Sequence, residues 1–356
     1  MELEMERKVL NKKISTYLKA IAIVMMVFHH FFAFPDRLLQ EDLYTTWNLG
    51  GGKPFEQLIG EMCKLCVCIF AFISGYGTYI SFKKYERFRE RIIYCLKKIF
   101  KLVGMYWIAL LCFFLPLLAL FQKVTFSQVV SNVLLGSNSM MHVAWYVRFY
   151  IIALLVLCLY SALENRKSSW IFDVVMCFIV PIALDVLIPG NEISHYYPIF
   201  MLGYIFSKYN LYERYESFIK SNIARSAASI VVLLGLLVLR LKIGDMICHV
   251  SMITFIGPVF CYVLAFVLKW IAKCRWIEKI LLFLAQYSIW YWFLHAIFHE
   301  GILPIQKIGY LPHNIFLIVI WVFIILTPVA VLLQYIYKAC LKCIEVVFIK
   351  NIKINK

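Results

Sequence analysis

The sequence predicts an all-α fold, a polytopic transmembrane helical bundle of about ten spans, and three observations lead there. Of its 356 residues 63% are hydrophobic and only 16% charged, against about 25% charged in a soluble domain. Its apolar runs reach the length that crosses ~30 Å of hydrocarbon at ~1.5 Å rise per residue. No polar linker separates those runs, so one membrane-embedded domain over residues 1–356, with short cytoplasmic tails at 1–13 and 338–356, is the expected organisation.

The runs fall at 14–34, 58–81, 99–121, 143–161, 170–188, 194–207, 222–240, 248–268, 280–299 and 313–337. The first has a basic flank, as a signal peptide does. Its apolar stretch is too long and no small-x-small site follows, so a retained span is expected. The basic residues then orient the set. With both termini inside, inner segments hold 27 Lys/Arg and outer loops six: Arg37, Lys53, Lys123, Arg240, Lys242 and Lys307. Three more, Lys19, Lys64 and Arg148, lie within spans. That asymmetry predicts a multi-pass cell-membrane protein with both termini cytoplasmic.

The net charge of +16 is therefore topology information and no nucleic-acid partner is expected. The 12 cysteines sit mostly inside apolar runs, as small hydrophobes. Cys63-x-x-Cys66 and Cys340-x-x-Cys343 are single pairs without histidine partners, and His295 and His299 enclose only Ala, Ile and Phe, so no metal site is expected. In the outer loop 35–57, Gly50-Gly51-Gly52 reads as turn residues.

Five constellations could carry chemistry. Span one holds Lys19 and, eleven residues on, His30, with His29 beside it. Eleven residues are three helical turns, so Lys19 and His30 share a stripe ~16 Å apart along the axis. A cation and an imidazole in a span are costly to insert and point to function; imidazole is the usual base near neutral pH. The competing reading makes both histidines interfacial. Adjacent residues diverge by ~100°, so spacing selects His30 over His29 as the partner on the lysine stripe.

Span two holds Phe70-Ala-Phe-Ile-Ser74-Gly75-Tyr76. Ser-Gly lets helices approach closely, and without a G-x-S-x-G elbow Ser74 reads as a packing residue rather than a nucleophile. Between spans two and three come Lys83, Lys84, Arg87, Arg89, Arg91, Lys97, Lys98 and Lys101. Contact with anionic membrane lipid would account for such a connection; a phosphate-rich cytosolic ligand is the sharper reading, since arginine forks match phosphate oxygens. His142-Val-Ala-Trp145-Tyr146-Val-Arg148 opens span four, where Arg148 either snorkels or orients a substrate and the aromatics form an interfacial belt or a sugar platform. Span nine ends Ser288-Ile-Trp-Tyr291-Trp-Phe-Leu-His295, with His295 at the depth of His30. Glu61, at similar depth, is a candidate to orient an imidazole.

With these residues in place the chain resembles acyltransferase family 3, the integral-membrane O-acyltransferases. Lys19 and His30 resemble its first-helix signature of a basic residue, ten positions and a histidine. Phe-Ile-Ser74-Gly75-Tyr76, the basic run Arg87 to Trp107, Ala144-Trp145-Tyr146, Phe200-Met-Leu-Gly203 and Ser288 to His295 resemble further landmarks, in order. Thr16 stands where the family often has aspartate, and Lys19 where arginine is common. The resemblance implies transfer of an acetyl group from acetyl-CoA to a glycan or lipid-linked glycan hydroxyl. It implies His30 and Lys19 as catalytic residues, with Glu61, Ser74, Trp145, Arg148 and His295 in support. Donor phosphates would meet Arg87, Arg89 and Arg91, or Lys98 and Lys101. A transporter or flippase of a lipid-linked glycan is the alternative, but it should show inverted repeats, and none is visible. A noncatalytic assembly factor, which would tolerate loss of His30, is a third reading.

Overall fold

The computed structural model describes residues 8–48, 52–164, 170–187, 192–244, 246–247 and 250–354. Gly50 and Gly51 lie outside them, while Gly52 takes the left-handed φ of +89° that its turn role requires. Each expected span falls on a helix. The long elements are α1 Lys12–Phe32, α2 Phe55–Phe82, α3 Phe88–Phe121, the short α4 Phe126–Val133, α5 Trp145–Glu164 and α6 Trp170–Leu187. There follow α7 Glu192–Lys208, α8 Leu211–Phe218, α9 Asn222–Ile243, α10 Ile253–Ile271, α11 Arg275–Gln286, α12 Ser288–Leu294, α13 Leu303–Gly309 and α14 Ile315–Ile354. Eight helices among the described residues are long and apolar enough to cross a membrane, and α11 with α12 makes a ninth, bent by 60°. The remaining expected span is α7, which has 17 residues and a proline at position 198.

Five boundaries differ from the sequence expectation. Helix α3 starts at Phe88, so most of the basic connection is helix; Lys, Arg and Glu are good helix formers despite their charge. Within α2, Cys63–Leu65 forms a 3₁₀ turn. Span eight starts at Ile253 because Met246–Ile247 (β1) and Val250–Ser251 (β2) pair antiparallel ahead of it. Span nine is interrupted at Tyr287, whose ψ of 10° leaves the helical region. Finally, α14 continues as helix through Ile354 where a tail was expected. Two π turns, Leu110–Phe114 in α3 and Val175–Ile179 in α6, directly precede the turns holding Pro116 and Pro181. A proline lacks the N–H that the preceding turn would bond, and the widened turn absorbs the mismatch.

The chain forms two compact units. One comprises the chain up to Met26, Cys63–Lys97 and Arg148–Gln286; the other comprises Val27–Met62, Lys98–Val147 and the chain from Tyr287.

In the first unit the C-terminal half of α2 lies directly against α7. A Cβ built on Gly75 would stand 1.8 Å from the Phe200 carbonyl oxygen, and one on Gly203 would stand 2.0 Å from that of Phe72. Each glycine admits the other helix's backbone. Around that crossing Phe72, Tyr76, Phe200 and Tyr204 are at most 1% exposed. One ion pair is buried here. The Lys208 ammonium meets the Asp173 carboxylate at 2.8 Å, with side chains 9% and 2% exposed. The hydroxyls of Tyr160 and Tyr209 also donate to Asp173. At the surface, Lys13 and the Tyr17 hydroxyl share Glu278 at 2.7 and 2.8 Å.

In the second unit α12 packs on α14. The Trp290 indole donates to Gln334, and the Tyr291 hydroxyl meets that of Thr327 at 2.7 Å. The Tyr106 hydroxyl of α3 donates to the Asn132 carbonyl at 2.8 Å, which ties α4 down. The segment after α1 is closed by Tyr310, which donates to the Phe31 carbonyl at 2.7 Å and stacks on Tyr44. Burial pushes the Tyr310 phenol well above its ordinary range, so that donor stays protonated.

Candidate active site

Five histidines of the second unit come together. Two sit on the last turn of α1, one on the 3₁₀ turn His142–Ala144 that opens α5, and two on the 3₁₀ turn His295–His299 that follows α12. The His30 ring lies 4.8 Å from that of His295, 5.4 Å from His142 and 6.2 Å from His299, centroid to centroid. His142 lies 6.4 Å from His295 and 6.2 Å from His299. His30 is therefore the hub, and the other three reach it from two elements, His142 from the turn before α5 and His295 and His299 from the turn after α12.

The adjacent pair divides its roles. His29, 8% exposed, donates from Nδ1 to the Gly60 carbonyl at 2.9 Å and anchors α1 to α2. His30 points to the other imidazoles, and its Nδ1 is buried with no hydrogen-bond partner among the described residues. The same holds for Nε2 of His142, His295 and His299. A buried polar nitrogen without a partner costs of order 1–3 kcal/mol. Four such atoms, one on His30 and three on the rings around it, mark a place that a polar ligand completes.

Chemistry fixes two further tautomers. A carbonyl oxygen only accepts, so His295 Nδ1, 3.1 Å from the Tyr291 carbonyl, carries the proton and leaves an Nε2 lone pair in the neutral ring. His142 Nδ1 likewise faces Glu300 Oε1 at 2.9 Å, and the same oxygen accepts the His142 backbone N–H at 3.0 Å. The Asn138 amide donates to the His142 carbonyl at 3.2 Å, so the turn is held on both sides. Beside the cluster, Tyr146 and Trp292 pack 4.6 Å apart, both nearly buried. No group of three or more His, Cys, Asp or Glu among the described residues is arranged to hold a metal ion.

The other expected site residues are placed as follows. Lys19, in the first unit, is exposed on α1, three turns before His30. Glu61 does not orient an imidazole: it takes Lys53 at 2.6 Å and the Gln57 amide at 3.3 Å. Glu300 holds the role expected of it. Sequence spacing offered no signal for that pairing, because 158 residues separate Glu300 from His142. Ser74 is half-buried in the middle of α2, next to the glycine that seats α7. Trp145 packs edge-on against Tyr146, and Arg148 is half-buried one turn into α5. Of the expected phosphate ligands, Arg87 and Arg89 are exposed in the first unit. Arg91 instead donates to the carbonyls of Tyr85 and Ser161, at 3.2 and 3.0 Å, as a structural tie. Lys98 and Lys101, in the second unit, are half-buried and exposed.

Comparison with curated proteins finds no match, and comparison with solved structures finds none. The family model described as an acyltransferase domain, that of acyltransferase family 3, matches residues 14–338. That span runs from the first residues of α1 into the middle third of α14 and takes in all five histidines of the cluster. Nearly the whole chain is matched, its helices are those of a multi-pass membrane protein, and the chain belongs to acyltransferase family 3, the membrane acyltransferases.

Proposed function

We propose that this acyltransferase moves an acetyl or similarly short acyl group from acetyl-CoA to a hydroxyl of a cell-surface or lipid-linked glycan. The observation that carries the reading is the convergence on His30 of imidazoles whose buried nitrogens have no partner among the described residues. Acyl transfer to a hydroxyl needs a neutral base near physiological pH and a group able to receive or shield the acyl carbon. Imidazole does both, and His30 stands where the acetyl group changes hands, as base or as brief carrier. Lys19, a point charge on the same helix, attracts the anionic donor.

The cations fit that donor. Arg87 and Arg89 are exposed just before and within the first turn of α3, and guanidinium forks suit phosphate oxygens. The positive-inside asymmetry supports a cytoplasmic side for that turn and for both termini, the side from which acetyl-CoA would arrive. The acceptor then approaches from the outer side, where the half-buried Trp145, held edge-on against Tyr146, supplies aromatic surface for a sugar ring.

The test is mass spectrometry of surface glycan from wild-type cells and cells carrying His30→Ala at matched expression. The expected result is loss of one acetyl mass per modified sugar in the variant. Unchanged acetylation removes His30 from the chemistry. Reduced glycan display with normal acetylation of what remains would favour transport instead.

A further inference from the structure

The four partnerless imidazoles are not equivalent. His295 is backed by a main-chain carbonyl, and no acid among the described residues backs His30. His142 alone among the described histidines of the cluster rests on a carboxylate, Glu300 at 2.9 Å. That carboxylate is only 9% exposed, so little water screens it, and the imidazole is 26% exposed with its Nε2 turned inward and without a partner among the described residues. Glu300 is itself held, since it accepts the His142 backbone N–H and its carbonyl takes the Gln122 amide at 2.9 Å.

Resting on the acyl-transfer reading above, we propose that His142 is the general base toward the acceptor hydroxyl and that Glu300 is its positioning residue. Glu300 Oε1 keeps the proton of the neutral ring on Nδ1, which aims an Nε2 lone pair at the space shared with His30. His142 Nε2 takes the hydroxyl proton while the hydroxyl oxygen bonds to the acetyl carbonyl carbon. The bond from that carbon to its leaving atom breaks: to the thioester sulfur, or to a His30 nitrogen when His30 carries the acetyl group. The leaving atom receives the pair of electrons and then the proton from His142, so ester and thiol, or ester and neutral His30, are formed with nothing left over. While His142 bears two protons, the adjacent carboxylate offsets its charge, as the acid does in a serine-protease triad. Among the described residues neither His30 nor His295 has that support, which is why the base is placed at His142.

The experiment uses the full chain in lipid nanodiscs, radiolabelled acetyl-CoA, and membranes from cells deleted for this chain as the acceptor probe. Acetyl incorporated into glycan is followed across acetyl-CoA concentrations for wild type, Glu300→Gln, Glu300→Asp and His142→Gln, each with a thermal melt. Glu300→Gln should lower kcat by roughly 10²- to 10⁴-fold with KM for acetyl-CoA little changed. Glu300→Asp should recover part of kcat, and His142→Gln should match Glu300→Gln. A structural role would move the melt and KM together instead. Should Glu300→Gln fail to fold, His142→Gln with a wild-type melt carries the same expectation. Wild-type kcat in folded Glu300→Gln or His142→Gln overturns the assignment and leaves the acyl-transfer reading standing. A wild-type protein that incorporates no acetyl overturns that reading itself.

Discussion

Replacing Gly75 by alanine should unseat α7 from α2, and the structure sets the size of the effect. The new Cβ would sit 1.8 Å from the Phe200 carbonyl oxygen and 3.1 Å from the Tyr204 nitrogen. A carbon rests no closer than about 3.3 Å to a carbonyl oxygen, so the helices must part by about 1.5 Å. The obstacle is backbone and cannot rotate away. Overpacking ordinarily costs about 1–3 kcal/mol; here contacts of Phe72, Tyr76 and Tyr204 loosen as well, so about 3 kcal/mol is expected. That is roughly a hundredfold shift in the folding equilibrium. Gly77, two residues on in the same helix, is the control, because a Cβ there meets nothing within 4 Å. Gly77→Ala should be neutral or gain up to about 1 kcal/mol of helix propensity. Thermal melts and fluorescence-detected size exclusion in detergent read the difference. Equal melts for Gly75→Ala and Gly77→Ala would refute the close-approach argument, for Gly203 as well as Gly75.

Other outcomes follow from the same structure. Asp173→Asn leaves the Lys208 ammonium buried beside a neutral amide and should cost about 3–5 kcal/mol; adding Lys208→Met should restore part of it, read by melt as a double-mutant cycle. Arg91→Ala should lower the melt without selectively raising KM for acetyl-CoA, because Arg91 ties carbonyls. Arg87→Ala and Arg89→Ala should do the reverse, raising KM at an unchanged melt. Ser74→Ala should keep acyl transfer within a few-fold of wild type; loss of transfer with a normal melt would make Ser74 a reacting group.

Much of this architecture was legible because a bilayer imposes few choices. A run such as Ile14–Phe34 can only be a helix, since hydrocarbon leaves no other way to bond its main chain. The packing sense of Ser74-Gly75 and of Gly203 was readable for a related reason: small residues mark close helix contacts. What escaped is instructive. The break at Tyr287 has no proline or glycine to announce it. The N-terminal half of α3 reads as a loop when charge is taken for solvation, though its Arg, Lys and Glu favour helix. His30 and His295 were visible as imidazoles at one depth, but depth gives no azimuth, so Glu61 looked as good a partner as any acid. Glu300 was hidden because its neighbourhood is set by the 3₁₀ turn His295–His299, which brings it to His142. His142 and His299 carried a weak signal, being histidines at span ends, where a membrane protein has little reason to keep them.

The central claim is that the imidazoles gathered around His30 perform the acyl transfer. The most direct measurement is the rate of free thiol release from acetyl-CoA by the purified chain in nanodiscs with acceptor membranes, wild type against His30→Gln. Wild type should release thiol steadily, and His30→Gln should fall at least ~10²-fold at an unchanged melting temperature. Equal rates from the two proteins would contradict it.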